Sequence, residues 1–426
     1  MKSIKINPSK SYTQRAILYA LFSGIKTWIS NTTPLCNDSK ATLELAKLLT
    51  NNGVDINGDN IIINPSDLIF PSEINVNESG TLCRMLIPLL ITQNGKITIN
   101  GNGSLLNRNL SLSERMDNIF SFLYDINIKT NNGHLPISID CTNKKDYIDS
   151  FKYYSFDGSD TSQYISGFIM ALSILNFGDI TIDIANCYSM SYILMTVDTI
   201  QKFGVDIKVS EITNTSCRIF LNKNDKPLPL AISYNIEGDW SGAAGIMIYN
   251  ILINPLEEYE YINLKYDSIQ SDRKILNLLN NFCTIKYKDK NIFIKRNSSF
   301  ISPFEFDCTY SPDLFPVVCA LAATISSGYS KIKGLSRLTN KESNRGMVIF
   351  EEFKKYGINV EIEDDYIKIK GISDEINDVE YNSYNDHRIA MALIILRKFY
   401  GLSVPEEDIC LNKSYNTFLQ DTVYAK

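Results

Sequence analysis

Histidine is nearly absent from this chain, with two residues in 426. That leaves His387 as the histidine of any candidate site and argues against chemistry built on imidazole relays. The nine cysteines are scattered, odd in number and without a C-x-x-C pair, so they supply no metal framework and suit a reducing cytoplasm. No P-loop, zinc motif, Ser-His-Asp pattern or dinucleotide fingerprint occurs. No apolar run of roughly 18 residues is present, and residues 1 to 15 are polar, so neither membrane insertion nor export is expected. An excess of positive charge is also missing. Lysine and arginine number 42 against 48 aspartates and glutamates, a net charge of −6 with pI near 5.3. No global field exists to hold nucleic acid or an anionic membrane, and an anionic ligand must be caught by a local cluster. What remains is chemistry run by carboxylates and lysine.

The chain is 44% apolar and 21% charged, an ordinary globular composition long enough for two or three domains. Apolar helical patterns repeatedly lead through glycine or a polar residue into an alternating strand. Gly53, Asp125, Gly204, Phe282 and Gly357 anchor these junctions at steps of 72, 79, 78 and 75 residues. A step that regular marks an internal repeat of about six units. At the glycines it predicts a left-handed helix C-cap. Units of about 75 residues are too small to hold a core alone and group most simply as two lobes of three, with ligands in the cleft.

Polar turns at helix starts carry the candidate chemistry. Lys10, Ser11 and Arg15 lie where free N–H groups and the helix dipole favour an anion, with Ser11 or its neighbour as the cap. Glu78-Ser79-Gly80-Thr81…Arg84 opens another apolar helix, and Arg108 follows a glycine-rich stretch. Thr161, Ser162 and Gln163 offer neutral donors at a third helix start, and Ser189 and Ser191 add hydroxyls before the helix that ends at Gly204. In the second half, Asp313 sits between prolines beside the run Val317, Val318, Ala320 and Leu321, where apolar surface would raise a carboxyl pKa. Lys341, Glu342 and Arg345 share one helix start, Asn385-Asp386-His387-Arg388 forms a capped turn into Ile389, Leu393 and Ile394, and Lys413 adds a last cation. A capped, solvated helix end explains each turn singly about as well as a ligand site does.

Taken in order, the motifs resemble those of the 5-enolpyruvylshikimate-3-phosphate synthase family over essentially the whole length. The resemblance lies in Lys10-Ser11…Arg15, Ser79-Gly80-Thr81…Arg84, Thr161-Ser162-Gln163, Gly238-Asp239-Trp240-Ser241, Pro312-Asp313, Lys341 to Arg345, Asn385 to Met391 and Lys413-Ser414. It implies an α/β (α+β) fold of two lobes, six βαβαββ repeats as two three-unit domains with an interdomain active-site cleft. One lobe would span 8–237 and the other would combine 1–7 with 238–426. The implied reaction is enolpyruvyl transfer from phosphoenolpyruvate to the 5-hydroxyl of shikimate 3-phosphate with release of phosphate. By the resemblance Asp313, Glu342 and Lys10 are catalytic. Lys10, Ser11, Arg15, Thr161, Ser162, Ser189, Asp313 and Lys341 would hold shikimate 3-phosphate. Lys10, Gly80, Arg108, Gln163, Arg345, Arg388 and Lys413 would hold phosphoenolpyruvate. His387 is expected only to shape its turn.

The resemblance further implies a cytoplasmic monomer with small-molecule substrates, no cofactor and no metal. The alternatives are a UDP-N-acetylglucosamine enolpyruvyl transferase, which shares the fold, or a non-catalytic relative that binds anionic metabolites. Departures from the family pattern are Glu78, Met85, Met190, Arg337 and Asn416, and the missing glycine before Ser9. All concern substrate grip, and none touches a proposed proton-transfer residue.

Overall fold

The computed structural model describes residues 2–425 except 52, 67, 111–125, 143–151, 177, 224–226, 299, 340 and 374. Among these residues one motif recurs five times as a four-stranded sheet. In each sheet two strands run parallel, a third strand is antiparallel to the second of them, and the fourth is antiparallel to the third. Ile97 and Ile99 of the strand Lys96–Asn100 are buried while their neighbours are more open, so that strand carries one apolar face at period two. The sequence anchors fall just before edge strands such as Val54–Asn57, Ile207–Ser210, Cys283–Lys288 and Asn359–Glu363. Asp125 lies outside the described residues.

The chain divides into two units, Met1–Ser9 with Pro34–Cys36 and Glu237–Lys426, and Lys10–Thr33 with Asn37–Ile236. Two sheets borrow a strand from far along the chain. Lys2–Lys5 pairs in parallel with Glu258–Ile262, and Ala231–Asn235 pairs in parallel with Lys26–Ser30. Three sheets belong to the Lys10–Ile236 unit and two to the other.

A trio of helices forms the centre of each unit. Lys10–Ser23, Gly80–Ile91 and Ser162–Leu175 pack against one another in the first, and Trp240–Ile253, Phe315–Ala322 and His387–Phe399 in the second. Thirteen of the fourteen residues of Trp240–Ile253 are buried, so this helix has no solvent stripe and can only be central. Each large aliphatic side chain taken fully out of water there contributes about 1.5–3 kcal/mol. Outer helices such as Arg345–Lys355 keep an exposed face.

Two expectations are corrected by the backbone. Gly204 and Gly357 take the predicted left-handed conformation at φ 92° and 86°, but near the first anchor Asn51 does so at φ 45°. Gly53 is needed for close approach, since a Cβ there would lie 2.3 Å from the Asn64 carbonyl oxygen. The sixth unit, after Lys370, supplies the helices His387–Phe399 and Phe418–Asp421 but no strand among the described residues. Its would-be ladder is spanned by a side chain: the Arg397 guanidinium donates to the carbonyls of Val379 at 2.7 Å and Ser403 at 2.5 Å. Pro405, lacking an N–H, cannot extend a ladder beyond Val404.

Candidate functional site

Most of the polar motifs sit at the N-terminal ends of helices, central ones above all, where unpaired N–H groups and the helix dipole favour negative charge. In the unit 10–33 and 37–236, hydrogen bonds tie these ends together. Gln14 donates to the Ser79 hydroxyl at 2.9 Å, and Gln163 donates to the Thr81 hydroxyl at 2.9 Å. Ser79 and Thr161 are the caps, accepting from the N–H groups of Leu82 and Gln163. The first helix begins at Lys10, so Ser11 lies inside its first turn and is not the cap.

Gly80, Arg84, Arg108 and Gln163 come together. Arg84 donates to the Gln163 side-chain oxygen at 3.0 Å, and a Cβ on Gly80 would stand 3.0 Å from a terminal nitrogen of both Arg84 and Arg108. Glycine therefore lets two guanidiniums approach the helix end. Lys10 pairs with Asp38 at 3.2 Å. Arg15 is 1% exposed and has no carboxylate hydrogen-bond partner among the described residues: it donates to the Thr196 hydroxyl at 2.9 Å and to the carbonyls of Ser11 and Tyr192 at 2.9 and 3.0 Å. Burial lowers its pKa to about 10. Ser162 is buried, while Ser189 sits half-buried at the start of Met190–Lys202 without capping it. That helix begins at Met190, so Ser191 lies inside its first turn and not before it as expected. Met190 is buried, so this departure serves packing, as does buried Met85. Glu78 accepts from the N–H and hydroxyl of Ser104, bracing the turn Gly103–Asn107 that ends beside Arg108.

In the other unit Asp313, Lys341, Glu342, Arg345, Arg388 and Lys413 form one ion-pair cluster. Arg345, 1% exposed, donates to Asp313 and Glu342 at 2.9 and 2.8 Å and through Nε to Asp386 at 2.9 Å. Lys341 stands 3.8 Å and Arg388 3.5 Å from Asp313, and Lys413 stands 3.8 Å from Glu342. Burial works to lower the Arg345 pKa but the three carboxylates outweigh it and hold it well above its ordinary value, whereas for Lys341 burial prevails and lowers it. Arg388 donates to Ser414 at 3.4 Å and keeps a buried Nε with no hydrogen-bond partner among the described residues. Asp386 caps His387–Phe399 by accepting from the Arg388 N–H at 2.9 Å, as the turn predicts, and His387 is buried beside it. Asn344, not Glu342, caps Arg345–Lys355, which leaves Glu342 to the cluster.

Asp313 thus faces cations and not the apolar surface expected for it. A raised carboxyl beside the cluster is Asp272, whose pKa is pushed up to about 7 by burial first and by Asp313 next, while it accepts from the Ser241 hydroxyl. Asp272 and Asp38 had no sequence signal, for each acts through a partner distant in sequence. Among the described residues no group of three or more His, Cys, Asp or Glu is placed to hold a metal ion, and no helix is long and apolar enough to cross a membrane.

With its repeated four-stranded sheets and central helix trios, the fold is that of the enolpyruvyl transferases. It superposes on EPSP synthase from Acinetobacter baumannii with TM-score 0.74 at 20% identity, covering 99% of this chain and 95% of that one. The enolpyruvyl transferase NikO from Streptomyces tendae gives TM-score 0.67 at 12% identity over 100% of this chain and 94% of its own. The family model for EPSP synthase (3-phosphoshikimate 1-carboxyvinyltransferase) matches residues 1–422, and the chain belongs to that family. A 3-phosphoshikimate 1-carboxyvinyltransferase of Clostridium kluyveri is 32% identical over 98% of this chain and 93% of its own length. One from Picrophilus torridus is 31% identical over 97% and 93%.

Proposed function

We propose that this protein transfers the enolpyruvyl group of phosphoenolpyruvate to the 5-hydroxyl of shikimate 3-phosphate, giving 5-enolpyruvylshikimate 3-phosphate and inorganic phosphate. The single observation that carries the mechanism is the cluster of Asp313 and Glu342 locked onto Arg345. It supplies two carboxylates in fixed orientation among cations, as acid–base work on an anionic substrate requires. In the addition step the 5-hydroxyl oxygen bonds to C2 of phosphoenolpyruvate, Asp313 takes the hydroxyl proton, and Glu342 protonates the methylene carbon with help from Lys10. In the elimination step Glu342 recovers a proton from the resulting methyl group, the double bond reforms, the C2–O bond to phosphate breaks, and the proton held by Asp313 leaves with the phosphate. No net proton or electron is consumed on the protein.

Shikimate 3-phosphate is assigned to Lys10, Ser11, Arg15, Thr161, Ser162, Ser189, Asp313 and Lys341. Phosphoenolpyruvate is assigned to Lys10, Gly80, Arg108, Gln163, Arg345, Arg388 and Lys413. Charge-assisted contacts of about 1.5–3 kcal/mol each, three or four per phosphate, are enough to hold such dianions on a protein of net charge −6. The protein is taken to work as a cytoplasmic monomer.

Mixing the protein with both substrates is expected to release inorganic phosphate. Asp313→Ala and Glu342→Ala are each expected to slow release by about 100-fold to 10,000-fold while shikimate 3-phosphate still binds. Absence of release at any substrate concentration would overturn the assignment. Release only with a nucleotide sugar acceptor would select the UDP-N-acetylglucosamine reaction instead.

A further inference from the structure

The turn 383–386 that delivers Asp386 is closed by a hydrogen bond from the Asp386 N–H to the Ser383 carbonyl at 2.9 Å. Both of its central residues, Tyr384 and Asn385, have positive φ, 53° and 52°. Asparagine tolerates that region, but a tyrosine there works against its own backbone preference. Such an outlier persists only where its surroundings hold it.

The hold comes from the helix Arg345–Lys355. The Tyr384 hydroxyl donates to Glu352 at 2.6 Å, and Lys355 reaches both that carboxylate at 2.6 Å and the hydroxyl at 3.2 Å. Glu352 is 1% exposed, and its second oxygen is buried without a hydrogen-bond partner among the described residues, so the Tyr384 and Lys355 contacts account for the carboxylate's position. Arg345 and Glu352 are seven residues apart, two turns along one helix face. That face therefore grips the turn twice, through Glu352 on Tyr384 and through Arg345 on Asp386.

We infer that Tyr384 is a positioning residue for the phosphoenolpyruvate cations: pinned by Glu352, it keeps the turn in the conformation that presents Asp386 to Arg345 and to the N–H of Arg388. It touches no reacting atom. The inference rests on assigning Arg345 and Arg388 to phosphoenolpyruvate, and its test separates the two.

In steady-state kinetics on the full chain, Tyr384→Phe is expected to raise KM for phosphoenolpyruvate about tenfold, with KM for shikimate 3-phosphate and Tm nearly unchanged. Glu352→Gln, which keeps an acceptor for the hydroxyl, is expected to hold that KM within about twofold of the parent. An unchanged phosphoenolpyruvate KM in Tyr384→Phe, an equal rise for both substrates, or a rise in Glu352→Gln as large as in Tyr384→Phe would overturn the positioning role. Should Tyr384→Phe fail to fold, Glu352→Met against Glu352→Gln poses the same question, with the rise expected only in the former. Arg388→Ala is the control. If it leaves the phosphoenolpyruvate KM unchanged, the underlying assignment falls; if it raises KM and Tyr384→Phe does not, only the positioning role falls.

Discussion

Arg15 and Arg345 are both 1% exposed, yet the two units bury them in opposite ways. Arg15 is surrounded by a hydroxyl, two carbonyls and the Tyr192 ring 5.8 Å away, and burial lowers its pKa. Arg345 is met by three carboxylates, and its pKa rises. A buried cation compensated only by neutral dipoles keeps its charge available for an anionic ligand, whereas one saturated by carboxylates spends its donors on orienting them. Arg15 thus fits a substrate-phosphate contact. Arg345 acts first as the frame that fixes Asp313, Glu342 and Asp386, and any contact with phosphoenolpyruvate is added to that.

The contrast is broken most severely at Arg345. Removing one partner of a buried ion pair costs about 3–5 kcal/mol because the other charges stay buried and uncompensated. Arg345→Met is expected to lose stability of that order in chemical denaturation and to lose turnover with both substrates. Arg345→Lys, which keeps the charge but cannot reach three carboxylates at once, is expected to recover only part of either. A variant Arg345→Met as stable as the parent would show that the carboxylates are held by something else.

A smaller effect is expected at Arg15. Arg15→Lys keeps a cation with neutral surroundings and leaves no carboxylate stranded, so the stability change should be only about 1 kcal/mol. Losing the planar fork should raise KM for shikimate 3-phosphate about tenfold and leave that for phosphoenolpyruvate unchanged. If Arg15→Lys proved as destabilising as Arg345→Lys, the distinction between a free charge and a saturated one would fail.

What could be read from the sequence follows how local each determinant is. The Asp386 cap and the left-handed Gly204 and Gly357 are set by a few neighbouring residues, and all are found. The five recurring sheets echo the spacing of the anchors. Partners distant along the chain left no pattern to read. Arg15 meets Thr196 181 residues away, and Arg84 meets Gln163 79 residues away. The sixth unit failed for a related reason, because Arg397 takes over carbonyls that a strand ladder would have used. At Asp313 the neighbours in sequence are apolar, but the neighbours in space are Arg345, Lys341 and Arg388.

A third comparison concerns how many negative charges the Arg345 cluster can hold. Asp313, Glu342 and Asp386 already face Arg345, and Asp272 lies close enough to Asp313 to be affected by it. Burial and that repulsion lift the Asp272 pKa from 3.8 to about 7. Between those values the folded protein keeps a proton that the unfolded chain releases, so this carboxyl favours the folded state at low pH and that advantage is lost as pH rises toward 7. Each tenfold change in proton affinity is worth about 1.4 kcal/mol, which sets the scale of the loss. Asp272→Asn carries the same shape with no proton to lose, and it can still accept from Ser241. Chemical denaturation at pH 5 and pH 8 should therefore show a smaller fall in stability for Asp272→Asn than for the parent. An identical fall in both would mean that Asp272 is ionised throughout and that Arg345 and its neighbouring cations compensate four carboxylates.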